Sequence, residues 1–251
     1  MTDQDKLLLA KTEDLFTLCD KYAAPRFSQF LDGGEVAYIE DHFHFPYGFH
    51  AMFFGGFPDS ERKILGVFPE WMDAEESLFP ISVLKISGGY NRELTHRDYL
   101  GTMLSLGIDR AKTGDILIAE DGFAYAAVME DIASFLVNNI RKIGNQGVKL
   151  QELDKAQPMI PKRRFSQINA VCASLRLDAV VGAVTGLARN GAAKLVTTEC
   201  VKVNHRLMTD SSKTLQEGDL LSIRGFGRFI LESEDGKTRS GRIHISVKKF
   251  I

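Results

Sequence analysis

Gln157-Pro158-Met159-Ile160-Pro161-Lys162-Arg163-Arg164 breaks the chain in two, and it limits the available folds more than any other feature. Proline fixes its own φ, lacks an amide donor and pushes the preceding residue into extended backbone. No helix or central strand is expected to run through this segment. The charge balance turns over at the same point. Residues 162–251 carry 16 Lys+Arg against 8 Asp+Glu, a net of +8. The whole chain has 31 against 33, which leaves 15 against 25, a net of −10, for residues 1–161. A basic module for a polyanion attached to an acidic body would give this division, and so would a solvated basic face on an ordinary domain. Charge alone leaves both readings open.

The apolar content of 44% and charged content of 25% are those of a globular chain able to bury a sizeable core. Near the N-terminus the only apolar run is Leu7–Ala10, too short for a signal-peptide core, and no later segment approaches a membrane span. Cys19, Cys172 and Cys200 are scattered, without C-x-x-C spacing, which suits a reducing cytosol. A cytoplasmic location without membrane contact is expected.

Hydrophobic periodicity divides the chain into three units of an α+β fold: 1–76, 77–160 and 161–251. In the first, Leu8, Leu15, Leu18 and Tyr22 mark a helix that Pro25 stops, and Ala51–Phe54 with Ile64–Phe68 read as a hairpin. The second has strands at Ile81–Ile86, Ile116–Ala119, Phe123–Met129 and Val148–Leu153. A helix capped by Thr95 and another over Asp131–Ile143 separate them, and Asp121-Gly122 makes a tight turn. This β-α-β-β-α-β order is that of a ferredoxin-like, RRM-like plait, which serves RNA-binding domains and unrelated enzymes alike. In the third, Leu177, Val180, Val181 and Val184 form a stripe ended by Gly186, and Asn190 is expected to cap a second short helix. Strands follow at Val201–Val203, Leu220–Ile223 and Phe229–Leu231, and a last hairpin is expected to turn at Glu234-Asp235-Gly236-Lys237.

The third unit carries a resemblance. Arg176-Leu177-Asp178, Ala188-Arg189-Asn190-Gly191-Ala192, Val201-Lys202-Val203-Asn204-His205-Arg206, Gly218-Asp219 and Ser222-Ile223-Arg224-Gly225-Phe226-Gly227-Arg228-Phe229 follow one another at the spacing of an S4-type RNA-binding domain. With Leu94–Leu100 and Leu106–Arg110 placed upstream, the chain resembles the YlmH family of bacterial RNA-binding proteins, the likeness thinning between Phe30 and Phe49. The resemblance implies a cytosolic protein on the large ribosomal subunit in ribosome-associated quality control, and a monomer is expected. Ribosomal RNA would be its main partner and transfer RNA a further candidate. One departure is Ala188, where S4 helices often carry a serine.

An A-form duplex is read mainly through phosphates, shape and 2′-hydroxyls, so guanidinium and ammonium groups at fixed spacing are the chemistry required. The expected RNA contacts are Arg176, Arg189, Asn190, Lys194, Lys202, Asn204, His205, Arg206, Arg224 and Arg228. Arg189 and Asn190 would open a helix whose leading amides favour an anion. Some of these residues would be bare surface charges on the competing reading, and Asp178, expected to pair with Arg176 or to cap locally, is given no contact role.

Other candidates are weaker. Asp41-His42-Phe43-His44-Phe45 with His50 suggests metal ligands, but no third ligand is specified, and a surface loop or half-buried hairpin is expected instead. Phe123 and Tyr125 could stack on bases as RRM aromatics do, yet packing against a neighbouring unit explains them equally and is preferred. No nucleophile, base and cofactor motif stands out, so neither catalysis nor a cofactor is expected. The alternatives are an RNA-modifying, pseudouridine-synthase-like enzyme with Asp98 and Asp109 as carboxylates, and an adaptor for a translation or cell-division partner.

Overall fold

Helix α1 (Asp3–Tyr22) starts on a capping box. The Asp5 amide donates to Thr2 Oγ1 at 3.2 Å and the Thr2 amide to the Asp5 carboxylate at 2.6 Å. Ala23 closes the helix in the left-handed region, two residues before Pro25. Strand β1 (Arg26–Phe27), helix α2 (Gly33–His42) and strands β2 (Phe49–Phe54) and β3 (Ile64–Pro69) follow. The three strands form an antiparallel sheet in the order β1-β3-β2. The computed structural model describes every residue except 1, 59, 89–93, 120–122, 155–164, 240 and 251.

Next come β4 (Ile81–Gly88), α3 (His96–Ser105), β5 (Thr113–Ile118), β6 (Ala124–Met129), α4 (Glu130–Asn139), β7 (Lys142–Ile143) and β8 (Gln146–Glu152). Their strands make an antiparallel sheet in the order β5-β6-β4-β8-β7. One face, with Leu84, Ile86, Ile116, Ala126 and Leu150, packs with Tyr99 and Met103 of α3 and Ile132 and Leu136 of α4. The opposite face, with Ile81, Leu117, Tyr125 and Ala127, packs with Phe30, Phe57, Ile64, Phe68 and Phe79. Strand β3 is buried along its whole length. Its other side meets α1 through Leu65, Val67, Phe16 and Cys19. Thus α1, two sheets and a helical layer stack in order, each hiding an apolar face of the next.

A polar network pins the β2–β3 connection to β5. The Asp115 carboxylate accepts from the Glu61 amide at 2.8 Å, while Arg62 donates to the carbonyls of Thr113 and Phe30, each at 2.9 Å. Burial lowers the Arg62 pKa and brings that of Arg110 down to about 10. The chain clusters into two compact units, Met1–Arg163 and Arg164–Ile251. The boundary drawn at 76/77 therefore falls inside the first unit.

The second unit runs β9 (Phe165–Cys172), α5 (Leu177–Thr185), α6 (Arg189–Thr197), β10 (Val201–Val203), β11 (Arg206–Leu207), β12 (Leu220–Ile223), β13 (Gly227–Lys237) and β14 (Ile243–Phe250). The antiparallel sheet order is β11-β10-β12-β13-β14-β9. Its core is its own: Leu177, Val180 and Val181 of α5 and Ala192 and Val196 of α6 pack with Val201, Ile223, Phe229 and Val247.

Four local expectations change. Asp41-His42 closes α2 rather than lying in a loop or hairpin, and His42 stacks on Tyr38 with ring centroids 4.1 Å apart. Helix α4 stops at Asn139, because Gly144 in the left-handed region folds Ile143 back opposite Gln146. Asn190 lies inside the first turn of α6, and Ala188 holds the N-cap position. Strand β13 continues through Asp235-Gly236 to Lys237 with register shifts, and the Thr238 amide then donates to the Arg242 carbonyl at 2.7 Å. The expected turn at Asp121-Gly122 and the break at Gln157–Arg164 lie outside the described residues.

Candidate nucleic-acid interface

The two helix starts of the second unit are built differently. At the start of α5, the Leu177 and Asp178 amides donate to the carbonyls of Lys213 at 2.8 Å and Ser211 at 3.1 Å. Those amides are therefore occupied by the chain itself. At α6 no side chain caps the helix, and Arg189, Asn190 and Gly191 are all exposed. A helix start of this kind presents N–H groups and positive dipole to an anion.

One carboxylate joins the two starts. Asp178, in the first turn of α5, is only 3% exposed. Arg176 Nε and Nη2 donate to its two oxygens, both at 3.1 Å, in a bidentate pair. Arg189 Nε reaches the same carboxylate at 3.4 Å. Side-chain exposure is 37% for Arg176 and 67% for Arg189, so the inner edge of each guanidinium faces the acid while the remaining N–H groups include solvent-facing ones. The Arg176 hydrogen bond is the main cause that lowers the Asp178 pKa, acting against burial, and the same bond raises the Arg176 pKa.

The other expected contacts fall into separate groups. Asn190 and Lys194 are exposed one turn apart on α6. Lys202 is exposed on β10, opposite Leu207 and Ser222, and Arg206 is exposed on β11, opposite Val203. Between them Asn204 and His205 both take positive φ, 48° and 66°, forming a two-residue hairpin turn. The Asn204 side chain braces that turn internally: Nδ2 donates to Asp219 at 2.7 Å and Oδ1 accepts from the Leu220 amide at 2.9 Å. Arg224 is exposed, and its amide donates to the Cys200 carbonyl at 2.9 Å. Arg228 is half-buried on β13 with its guanidinium 4.5 Å from the Phe250 ring centre, and burial lowers its pKa. The structure thus brings Arg176 and Arg189 together directly and puts Asn204 and Arg228 to use inside the fold. The pairing of Asp178 with Arg176, one of the two local roles expected of that acid, is present; that the same carboxylate also takes Arg189 had no signal in the sequence.

In the first unit, Tyr125 is fully buried between the sheets and Lys85 Nζ lies 3.8 Å from the Phe123 ring centre. Packing thus accounts for the aromatics that could have stacked on bases. Asp98 accepts from the Thr95 amide at 2.8 Å, and Asp109 from the Ala111 amide at 2.9 Å, so both carboxylates hold helix starts. Among the described residues no three His, Cys, Asp or Glu side chains form a metal-binding group, and no helix is long and apolar enough to cross a membrane.

Together these features define a mixed α+β protein with a separate basic unit whose two helix starts are bridged by an Arg–Asp–Arg cluster. The family described as "Putative RNA-binding domain in YlmH" matches residues 74–157. The "Ribosome-associated protein quality control protein P2" of Bacillus subtilis (strain 168) is 33% identical over 198 residues, covering 78% of this chain and 77% of that protein. A solved structure, "Cell division protein ylmH from Streptococcus pneumoniae", superposes with a TM-score of 0.50 at 25% identity, over 62% of this chain and 94% of that one. The chain belongs to the YlmH family.

Proposed function

We propose that this protein is a non-catalytic RNA-binding factor of the ribosome, working in quality control of stalled translation in the cytoplasm. The second unit is read as an S4-type domain that grips ribosomal RNA of the large subunit, with transfer RNA nearby. The observation that carries this reading is the pair of arginines at two adjoining helix starts, in a region of net charge +8. Guanidinium forks held at fixed spacing suit phosphates of a structured RNA. The name of the Bacillus subtilis relative agrees with a ribosomal task.

The first unit, whose second half we read as a ferredoxin-like plait, would make the second contact. Residues 74–157, matched to the RNA-binding family description, hold 9 Lys+Arg against 12 Asp+Glu. RNA contact there would be local, through few groups, rather than driven by a broad positive field.

This allocation predicts unequal fragments. Residues 162–251 should shift a structured ribosomal RNA fragment in a gel at fixed salt, and residues 1–161 should bind at least about tenfold more weakly. The affinity of the first fragment should fall steeply with salt, because neutralised phosphates release counterions. Equal affinity of the two fragments would reverse the allocation. Incubation with ribosomal RNA should leave its modification pattern unchanged by mass spectrometry; a new modification lost in Asp98→Ala or Asp109→Ala would establish an enzyme instead.

A further inference from the structure

An acid on an RNA-binding face is expected to repel the ligand, so the position of Asp178 needs a reason. It is 3% exposed, sits between two arginines at the starts of different helices, and accepts from Nε of both. A lone ionised carboxylate at that burial would be strongly disfavoured, and the two guanidiniums supply the compensating charge. The relation also runs the other way. Arginine side chains are long, and each loses rotamer freedom when it binds a phosphate. A buried, rigid acceptor on a helix backbone removes that freedom beforehand.

We propose that Asp178 is a positioning residue for RNA binding, fixing Arg176 and Arg189 as one two-armed clamp whose outward N–H groups take neighbouring phosphates. The proposal rests on the reading of the second unit as the RNA-binding part. Arg176 is the inner arm, anchored bidentately and more covered. Arg189 is the outer arm, tethered at Nε alone and left with most of its donors facing solvent. The span of the clamp is thus set by the packing of α5 against α6, not by the length of two flexible side chains.

Asp178→Asn separates positioning from bulk charge by the sign of its effect. It deletes a negative charge from the RNA-facing side while keeping shape, so electrostatics alone predicts tighter binding. Positioning predicts about tenfold weaker binding, from ordering two long side chains anew. In an Arg176→Ala, Arg189→Ala background the same change should produce no loss, since no arm remains to be held. Gel-shift titration of the full chain with structured ribosomal RNA, with thermal melting of each variant, reads all of this. Equal or tighter binding by Asp178→Asn overturns the proposal, and so does an equal loss in both backgrounds, which marks a purely structural acid.

A second measurement needs neither RNA nor a variant. In the wild-type protein, Arg176 and Arg189 Nε–H signals should exchange with water more slowly by NMR than that of Arg224. Exchange as fast as that of Arg224 removes the clamp even if the protein binds RNA. Wild-type protein that fails to bind RNA but shows slow Nε–H exchange refutes the functional reading while leaving the clamp intact.

Discussion

Arg189→Ala should weaken binding of the full chain to structured ribosomal RNA by about tenfold to a hundredfold, with little change in melting temperature. A charge-assisted hydrogen bond contributes roughly 1.5–3 kcal/mol, which sets that range. The side chain is 67% exposed and shares its carboxylate at 3.4 Å, so it supports little of the fold. Arg189→Lys keeps the charge but loses the planar fork, and an intermediate affinity is expected. Arg176→Ala should behave differently. It strips the bidentate partner from a nearly buried acid, so the same loss of affinity should come with a clear drop in stability. Fluorescence anisotropy against labelled RNA and thermal melting distinguish the two variants. A lower melting temperature for Arg189→Ala than for Arg176→Ala would show that the roles of the two arms are reversed.

The largest stability effect is expected at Tyr125→Ala. This side chain is fully buried between the two sheets of the first unit, in the cluster with Phe30, Phe68 and Phe79. Truncating a buried aromatic to alanine costs about 3–5 kcal/mol through lost transfer energy and the cavity left behind. Against a domain stability of about 5–15 kcal/mol this is a large share. At about 2–4 °C per kcal/mol for a unit of this size, calorimetry should show the first unit melting roughly 6–20 °C lower. The second unit has a separate core, and its transition should not move. A shift of only a degree or two would mean that the two sheets do not depend on this residue for their packing.

Much of this arrangement was legible from residue order, for identifiable reasons. Helix α1 carries a capping box and a Pro25 stop, and β2 with β3 flank a turn-rich loop, so local signals agree with the final structure. Helix α2 escaped because Gly33-Gly34 opens it, although the Asp32–Glu35 capping box was available as a signal. Strand β9 escaped because its inward positions, Ile168, Ala170 and Cys172, form only a weak alternation, and an eight-residue pairing with β14 about 80 residues later secures it. The cover over Tyr125 was anticipated in kind, but the particular residues that supply it are set by tertiary packing. The same holds at the candidate interface. Arg176 and Arg189 could be picked out individually by motif and charge. The Arg176 half of their junction at Asp178 was open to sequence, two residues apart, whereas the Arg189 half depends on two helix starts meeting in space, which no spacing along the chain encodes directly.

Cosedimentation with purified ribosomal subunits tests the central claim most directly. At physiological salt the wild-type chain should pellet with large subunits and not with small ones, and its bound fraction should fall steeply as salt is raised. Arg189→Ala should remain in the supernatant under the same conditions, with Arg189→Lys divided between the two. Wild-type protein that stays in the supernatant with large subunits, or an Arg189→Ala variant that pellets as wild type does, would contradict the account.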